Sequence, residues 1–577
     1  MTRLYDDPAT FMEDMLAGFL NLYPNHVVGV PGGVVRATET RAGKVGIVVG
    51  GGSGHYPAFC GVVGRGFADG AVVGNIFTSP SADNAYAVAK AASGGAGVLI
   101  SAGNYAGDVM NFTQAQARLQ SEGIDARVVF VTDDIASAPP GEIEKRRGIA
   151  GDFVVFKVMG AAAEEGYSLD DVQRVAEHAN NCTRSLGVAF AGCTMPGADH
   201  PLFTVPAGKM GVGMGIHGEP GVSDEDLPSA ADLARQLVDG VLDELPEVAG
   251  HRVGAILNGL GSTKYEELFV VWRTVSQLLA ERGFVVVEPE VGELVTSLDM
   301  SGCSLTIVAL DDELERLWCA PADTPAYRKG AALGGEIVTA ARRSPLVGSG
   351  VAGPETQAAA SPASQACAKR AFAALESMRG VIGEAEDELG RMDAVAGDGD
   401  HGRGMVKGTV AAVDAARDVV ERPCGVASLL RTAGDAWAAK AGGTSGALWG
   451  AALSAVGNRL GDRPLTIAAT DVVEALRAGL AALQQLGKAS VGDKTMLDAF
   501  VPFIEALHTE VDNGADLATS WEKAAKVAEV AARQTAELRP RVGRARPLAE
   551  RSLGSPDPGA VSLAMIMTAV GEVLRSS

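Results

Sequence analysis

The run Asp393-Ala-Val-Ala-Gly-Asp-Gly-Asp-His-Gly-Arg-Gly404 sets three carboxylates, Asp393, Asp398 and Asp400, among four glycines, Gly397, Gly399, Gly402 and Gly404. Just before it, Phe372, Leu375, Met378, Ile382, Ala385 and Leu389 recur at three- and four-residue spacing, which predicts an amphipathic helix. Beyond it, Ala- and Leu-rich segments near 425–440, 446–460, 470–486, 495–511, 516–538 and 558–574 follow without a convincing strand between them. The run is therefore a polar turn in an all-α domain. Bare carboxylates this close repel one another, and a hard cation with oxygen ligands would neutralise them; Mg²⁺ usually joins one or two carboxylates with substrate phosphates. The alternative is a solvated acidic turn, since Asp and Gly are ordinary turn residues. Three further polar stretches share the domain: 442–446 (GGTSG), 492–496 (GDKTM) and 557–559 (DPG). The first opens a helix, whose free N–H groups suit a phosphate. Asp498 reads as a helix-surface residue, and Arg544 and Arg551 border a loop that is either solvated or turned toward a nucleotide.

Upstream, residues 341–365 dissolve into Ser, Pro, Gly and Ala, the composition of an interdomain linker. This gives an expected division into 1–340, the linker 341–365 and 366–577. The first part has another character. Strands are predicted at 44–49 (KVGIVV), 97–101 (GVLIS) and 127–132 (RVVFVT), with a helix near 82–93 between the first two. A helix over 168–186 then leads into a second α/β unit, with strands at 253–257, 284–287 and 304–310 and a helix over 265–282. Strands alternating with helices give an α/β sheet, and ligands gather at the carboxyl ends of its strands. Two loops fall there. Residues 50–55 (GGGSGH) form a Gly-rich turn without the Gly-Lys-Ser/Thr ending of a P-loop. Asp108, after the GVLIS strand, is either a helix cap or a general base. His217 stands in a Gly-bounded turn, where a histidine is a structural hydrogen-bonder or a nucleophile.

Composition narrows the function. A formal charge of -22 excludes a surface suited to nucleic acid. The start lacks a basic stretch followed by an apolar core, so no signal peptide is expected, and no apolar run approaches the ~18 residues of a membrane span. Seven scattered cysteines without CxxC spacing read as reduced thiols of a cytoplasmic protein. Glycine, 73 of 577 residues without a triplet period, points to backbone-lined ligand loops.

The four C-terminal stretches, in this order, together with Gly50–His55 and 215–220 (GIHGEP), resemble the dihydroxyacetone kinase family over nearly the whole chain. The resemblance implies a multidomain protein: an α/β ketose-binding region of two subdomains and an all-α helical-barrel nucleotide domain. It implies Asp393, Asp398 and Asp400 as Mg²⁺ ligands. Nucleotide contacts would come from His401, Gly402, Arg403 and Gly404, from Thr444 and Ser445, from Thr495 and Met496, and from Asp557, Pro558 and Gly559. On the substrate side it implies Gly52, Ser53, Gly54, His55 and Asp108, with His217 bonded to the substrate carbonyl carbon as a hemiaminal and Asp108, assisted by His55, as base. The partners would be a short-chain ketose and ATP, in a homodimer. The segment 292–299 (GELVTSLD) matches the family as scaffold. One departure bears on the substrate. Dihydroxyacetone kinases commonly continue the first loop as His-Glu-Pro-Ala-His, whereas this chain has His55-Tyr-Pro-Ala-Phe59. Two polar groups have become aromatic, which favours a four-carbon ketose such as erythrulose over dihydroxyacetone. The competing readings are an FAD-splitting cyclase on the same helical domain and a sugar-sensing regulator; the latter should have lost an aspartate or the histidine.

Overall fold

The structure, a computed structural model, describes residues 2–219, 221–247, 250–330, 360–397, 399–542 and 549–576. Of the expected linker, 341–359 lies outside the described residues, as do Asp398, Pro220 and Arg544. The chain divides into two compact units, Met1–Ser349 and Gly350–Ser577.

The first unit is α/β and holds two large sheets. One runs in the order Val27–Val30, Gly33–Arg36, Gly70–Ile76, Gly46–Ser53, Val98–Gly103, Ala126–Val131, and its last four strands are parallel to one another. The other is mixed and centres on Arg252–Gly259, Ser301–Ala309 and Thr183–Ala191, which are antiparallel. The helix Gly151–Glu164 touches strands of both sheets. All its residues from Gly151 to Ala163 are buried, including Asp152 and Lys157, whose ammonium donates to the Leu317 carbonyl at 2.9 Å. Each fully buried Phe, Val or Met on it contributes about 1.5–3 kcal/mol. Close approach to the neighbouring chain fixes Gly160, where a Cβ would stand 2.3 Å from the carbonyl oxygen of Phe67 and 2.6 Å from its Cα. Gly160→Ala is therefore expected to destabilise this unit by ~1–3 kcal/mol, the cost of overpacking a tight core; equilibrium denaturation of wild type and variant measures it, and equal stabilities would show that the neighbouring backbone yields freely.

Two boundaries differ from the sequence expectation. The helix predicted over 168–186 ends at Asn181, and 183–191 is a central strand. Ser168 caps that helix by accepting from the Asp171 N–H, but nothing in TRSLGVAFA sustains the helical period once both faces of the segment are buried. The first strand also runs farther than expected: Gly50, Gly51 and Gly52 belong to Gly46–Ser53 and pair with Gly70–Ile76. They are glycines because the surroundings leave no room. Side chains there would meet Val72 at 2.8 Å, Phe59 at 2.6 Å and the backbone of Phe77 and Thr78 at 2.6–2.9 Å.

The second unit is all-α. Pro362–Glu384, His401–Val420, Val426–Ala441, Gly443–Leu460, Ala469–Gly487, Leu497–Asp512, Leu517–Gln534 and Pro558–Ser576 each pack on the next, and the last returns to the first, closing a ring. No strand occurs among its described residues. The ring surrounds an apolar cavity of about 590 Å³. Trp449 lines it and stacks on Trp437 behind, with ring centroids 5.0 Å apart. Pro558–Ser576 is long and apolar enough to cross a membrane by length and composition, but Ala560, Leu563, Ile566 and Met567 on it are buried in the ring. One helix was not anticipated: residues 401–404 are the first turn of His401–Val420, not a loop. Its three glycines within eight residues weaken the local helical signal.

Candidate active site

In the first unit the carboxyl ends of the parallel strands carry both expected loops. Strand Gly46–Ser53 delivers Ser53, Gly54 and His55, and Gly54 needs its glycine because its φ is 101° and Phe77 would lie 2.7 Å from a Cβ. The Ser53 hydroxyl is buried and has no hydrogen-bond partner among the described residues. Strand Val98–Gly103 leads to the helix Ala106–Ser121. Its N-cap is Tyr105, so Asp108 is not the cap but a buried carboxylate in the first turn.

His217 arrives from the other sheet, in the turn after Lys209–Val212, and is buried. Its ring stands edge-on to three others: Tyr105 with centroids at 4.4 Å, His55 at 4.6 Å and Phe77 at 5.5 Å. His55 in turn stacks on Phe77 at 5.0 Å. The structure thus brings His55 and His217 together, and it places Asp108 one turn into the helix whose cap touches His217.

Both imidazoles are oriented from behind. His55 Nδ1 lies 2.7 Å from the carbonyl oxygen of Thr296, which can only accept, so the ring donates there and its Nε2 carries the lone pair. Thr296 belongs to the segment read from sequence as scaffold, and it grips the loop again through Oγ1, which donates to the Tyr56 carbonyl at 2.9 Å. His217 Nδ1 lies 3.3 Å from Glu219 Oε1, while the His217 N–H donates to Glu219 Oε2 at 2.9 Å. A carboxylate at Nδ1 holds the proton there and leaves Nε2 as the nucleophilic nitrogen. Glu219 is itself positioned by Arg147, 3.9 Å away, which is fixed to Asp134 by hydrogen bonds of 3.1 and 2.7 Å. Gly215 makes room for it, since a Cβ would stand 2.2 Å from Glu219 Oε2. Burial, then the Glu219 charge, holds the Tyr105 phenol well above its ordinary pKa, so it stays a neutral donor to Gly148 O at 2.9 Å.

Glu219 was not singled out from sequence, although its place two residues after the histidine is a readable signal. Glu219→Gln keeps an acceptor but removes the charge, and is expected to weaken ketose binding by about ten- to a hundredfold, the ~1.5–3 kcal/mol of a hydrogen bond to a charged group. Titration of ketose against variant and wild type checks this; equal affinities would make Glu219 a packing residue only.

Of the two aromatic departures in the first loop, one reaches the site. Phe59 is buried against Gly51, with its ring 6.2 Å from His55. Tyr56 is 42% exposed and turns instead toward Phe19.

In the second unit the expected residues gather at helix N-termini. Asp393 ends Glu386–Asp393 and accepts from the His401 N–H at 3.4 Å; Asp400 is the N-cap of His401–Val420. The His401 ring hydrogen-bonds Ser562 on Pro558–Ser576 at 2.9 Å, which joins the first turns of two helices. Gly559 lies against Met496, the N-cap of Leu497–Asp512, within ordinary contact distance. Thr444 and Ser445 do open Gly443–Leu460, but no hydrogen bond among the described residues joins them to this cluster. Asp498 is not on the surface: it is buried and accepts from the Gly492 and Thr495 N–H groups at 2.5 and 2.7 Å. Arg551 is exposed.

The electrostatics of the cluster fit a hard cation. Burial, then the Asp393 charge, pushes Asp400 up to about 7. Burial also raises Asp557 to about 7, with Asp393 and Asp498 adding to it against the Ala560 hydrogen bond and Lys494. Both are oxygen donors whose charged forms are disfavoured first by burial and then by the neighbouring carboxylate charge. Among the described residues, to which Asp398 does not belong, no group of three or more His, Cys, Asp or Glu side chains is placed to hold a metal ion. An open carboxylate set of this kind suits Mg²⁺, which completes its shell with phosphate and water.

Comparison with known proteins agrees with both halves. A model of the Dak1 domain matches residues 17–326 and one of the DAK2 domain matches 395–572. The chain belongs to the dihydroxyacetone kinase family. Within it, the chain is 60% identical to the D-erythrulose kinase of Mycolicibacterium smegmatis, covering 100% of this chain and 99% of the relative. It is 54% identical to the L-erythrulose kinase of Pectobacterium atrosepticum, covering 100% and 97%. Among solved structures, the dihydroxyacetone kinase of C. freundii in complex with AMP-PNP and Mg²⁺ aligns over 99% of each chain with a TM-score of 0.52 and 29% identity.

Proposed function

We propose that this chain is an ATP-dependent kinase of erythrulose, which it holds covalently on His217 while a terminal hydroxyl is phosphorylated. Full-length similarity to erythrulose kinases supports the substrate. The observation that supports the covalent step is the Glu219 carboxylate at His217 Nδ1, which keeps the proton on that nitrogen and makes Nε2 the nucleophilic one.

The steps follow from these groups. Nε2 bonds to the ketose carbonyl carbon, and the C=O π pair moves to oxygen, which takes up a proton from solvent. The ring gains positive charge, which Glu219 removes by accepting the Nδ1 proton. The result is a neutral hemiaminal. Glycerol has no carbonyl carbon and is rejected by chemistry, not by size. The tethered sugar then offers its terminal hydroxyl: its oxygen bonds to the γ-phosphorus, the bond to the ADP oxygen breaks, and Asp108, assisted by His55, accepts the hydroxyl proton. Asp393, Asp398, Asp400 and Asp557 would hold Mg²⁺, which supplies neutralisation of phosphate charge when bound. The helix N-termini at His401–Gly404, Thr444–Ser445, Thr495–Met496 and Asp557–Gly559 direct N–H groups toward the nucleotide. The domain boundaries 1–340 and 366–577, a homodimeric state and a cytoplasmic location complete the proposal.

The test is a coupled ADP-release assay with ATP and Mg²⁺ over D- and L-erythrulose, dihydroxyacetone, glyceraldehyde and glycerol. The expected result is the highest kcat/KM for one erythrulose enantiomer and none for glycerol. A preference for dihydroxyacetone, or phosphorylation of glycerol, would overturn the substrate assignment.

A further inference from the structure

Lys494 sits between Asp493 and Thr495 in the 490–496 loop and takes no part in the mechanism above. It is only 6% exposed, and its φ is 61°, a left-handed backbone conformation that costs a side-chain-bearing residue energy unless its surroundings hold it there. The hold is visible. Lys494 Nζ donates to the Ser552 carbonyl at 2.6 Å, to the Leu538 carbonyl at 3.2 Å and to Ser552 Oγ at 3.2 Å. All three donors of the ammonium are used, and all three acceptors are neutral oxygens from segments well beyond the loop. Arg541 N–H adds a fourth tie, donating to the Asp493 carbonyl at 3.2 Å.

The segment that Lys494 grips leads directly into the other nucleotide stretch. Five residues after Ser552 comes Asp557, whose N–H donates to Thr535 Oγ1 at 2.8 Å and whose Oδ1 accepts from Ala560 N at 2.7 Å. Gly559 then rests against Met496, on the other side of the same loop. The loop is thus braced by Asp498 through Gly492 and Thr495, and tied sideways by Lys494. Burial lowers the Lys494 pKa, and the Asp557 charge opposes this.

We propose that Lys494 is a positioning residue for the nucleotide: its ammonium staples the Thr495–Met496 turn to the segment that carries Asp557–Gly559 and sets the spacing at which both meet ATP. The proposal rests on the assignment of those two stretches to the nucleotide. Lys494 itself contacts no substrate. Its charge is felt by Asp557 and would offset part of the negative charge that an incoming triphosphate meets.

The test uses the full chain with Mg²⁺. Lys494→Met keeps the side-chain stem and removes the donors; the expected result is a rise of tenfold or more in KM for ATP, with KM for the ketose within twofold of wild type. Lys494→Gln, which can still donate to one carbonyl, should give a smaller rise and serves if the Met variant does not fold. Asp557→Asn is the control for the site itself. A staple that matters only for stability would lower the melting temperature and the active fraction without moving KM for ATP. If Asp557→Asn raises KM for ATP and both Lys494 variants leave it within twofold, the positioning role is overturned while the nucleotide site stands. If neither position moves KM for ATP, both assignments fail together.

Discussion

Asp400→Asn is expected to cut kcat by on the order of 10³-fold, the scale seen when one preorganised electrostatic contact to transferring charge is removed. The reason is visible in the site. Asp400 is the N-cap residue of His401–Val420, and burial and then the Asp393 charge hold its carboxyl above the usual range, so in the proposed site a cation would relieve that repulsion. Removing one charge leaves the helices intact, because the apolar ring around Leu375, Trp437, Phe503 and Leu563 holds them and the acidic turn does not. Circular dichroism should therefore be unchanged while turnover collapses. Asp393→Asn should behave alike, and the two together should cost little more than either alone, since both act through one ion. A variant that keeps more than a tenth of wild-type turnover with Mg²⁺ would remove Asp400 from the metal site.

His217→Ala is expected to abolish stable ketose binding while KM for ATP stays unchanged, because the residues proposed to bind the nucleotide belong to the other unit. The covalent account and a structural one diverge sharply here. If His217 only fills the ring cluster with His55, Phe77 and Tyr105, its loss costs stability of about 1 kcal/mol for its hydrogen bond and leaves substrate preference alone. If Nε2 bonds to the ketose, the variant also loses discrimination against glycerol, since no covalent selection remains. Calorimetric titration with erythrulose, paired with the ADP-release assay on glycerol, separates the two. A normal ketose affinity would return selectivity to His55, Asp108 and pocket shape.

Much of this was legible in the sequence, for reasons that differ by element. The C-terminal helices show through because Ala and Leu at three- and four-residue spacing bury one face against a ring. The acidic run stands out because three aspartates within eight residues concentrate charge, although Asp393 also accepts from the His401 N–H and Asp400 is an N-cap. The strand Gly46–Ser53 was read too short because glycine is depleted in strands; the close approach of Phe59, Phe77 and Val72 that demands Gly50–Gly52 is tertiary. His401–Val420 was missed for a related reason, since three glycines at its start mask the period. The partner of His55 was beyond reach: it is a backbone carbonyl, at Thr296, and any residue type supplies one. Glu219 was not beyond reach, and a carboxylate two residues from a proposed histidine nucleophile is worth weighing as its orienting group. The burial of Asp498 was hidden because its two acceptor contacts are to backbone N–H groups, which leave no mark on composition.

The central claim, that a ketose is held on His217, is tested most directly by a crystal of the full chain soaked with erythrulose without ATP. The account predicts continuous density from His217 Nε2 to the sugar carbonyl carbon, tetrahedral geometry at that carbon and Glu219 within hydrogen-bond distance of Nδ1. A planar, unattached carbonyl in the pocket beside His55, or a sugar bound away from His217, would contradict it.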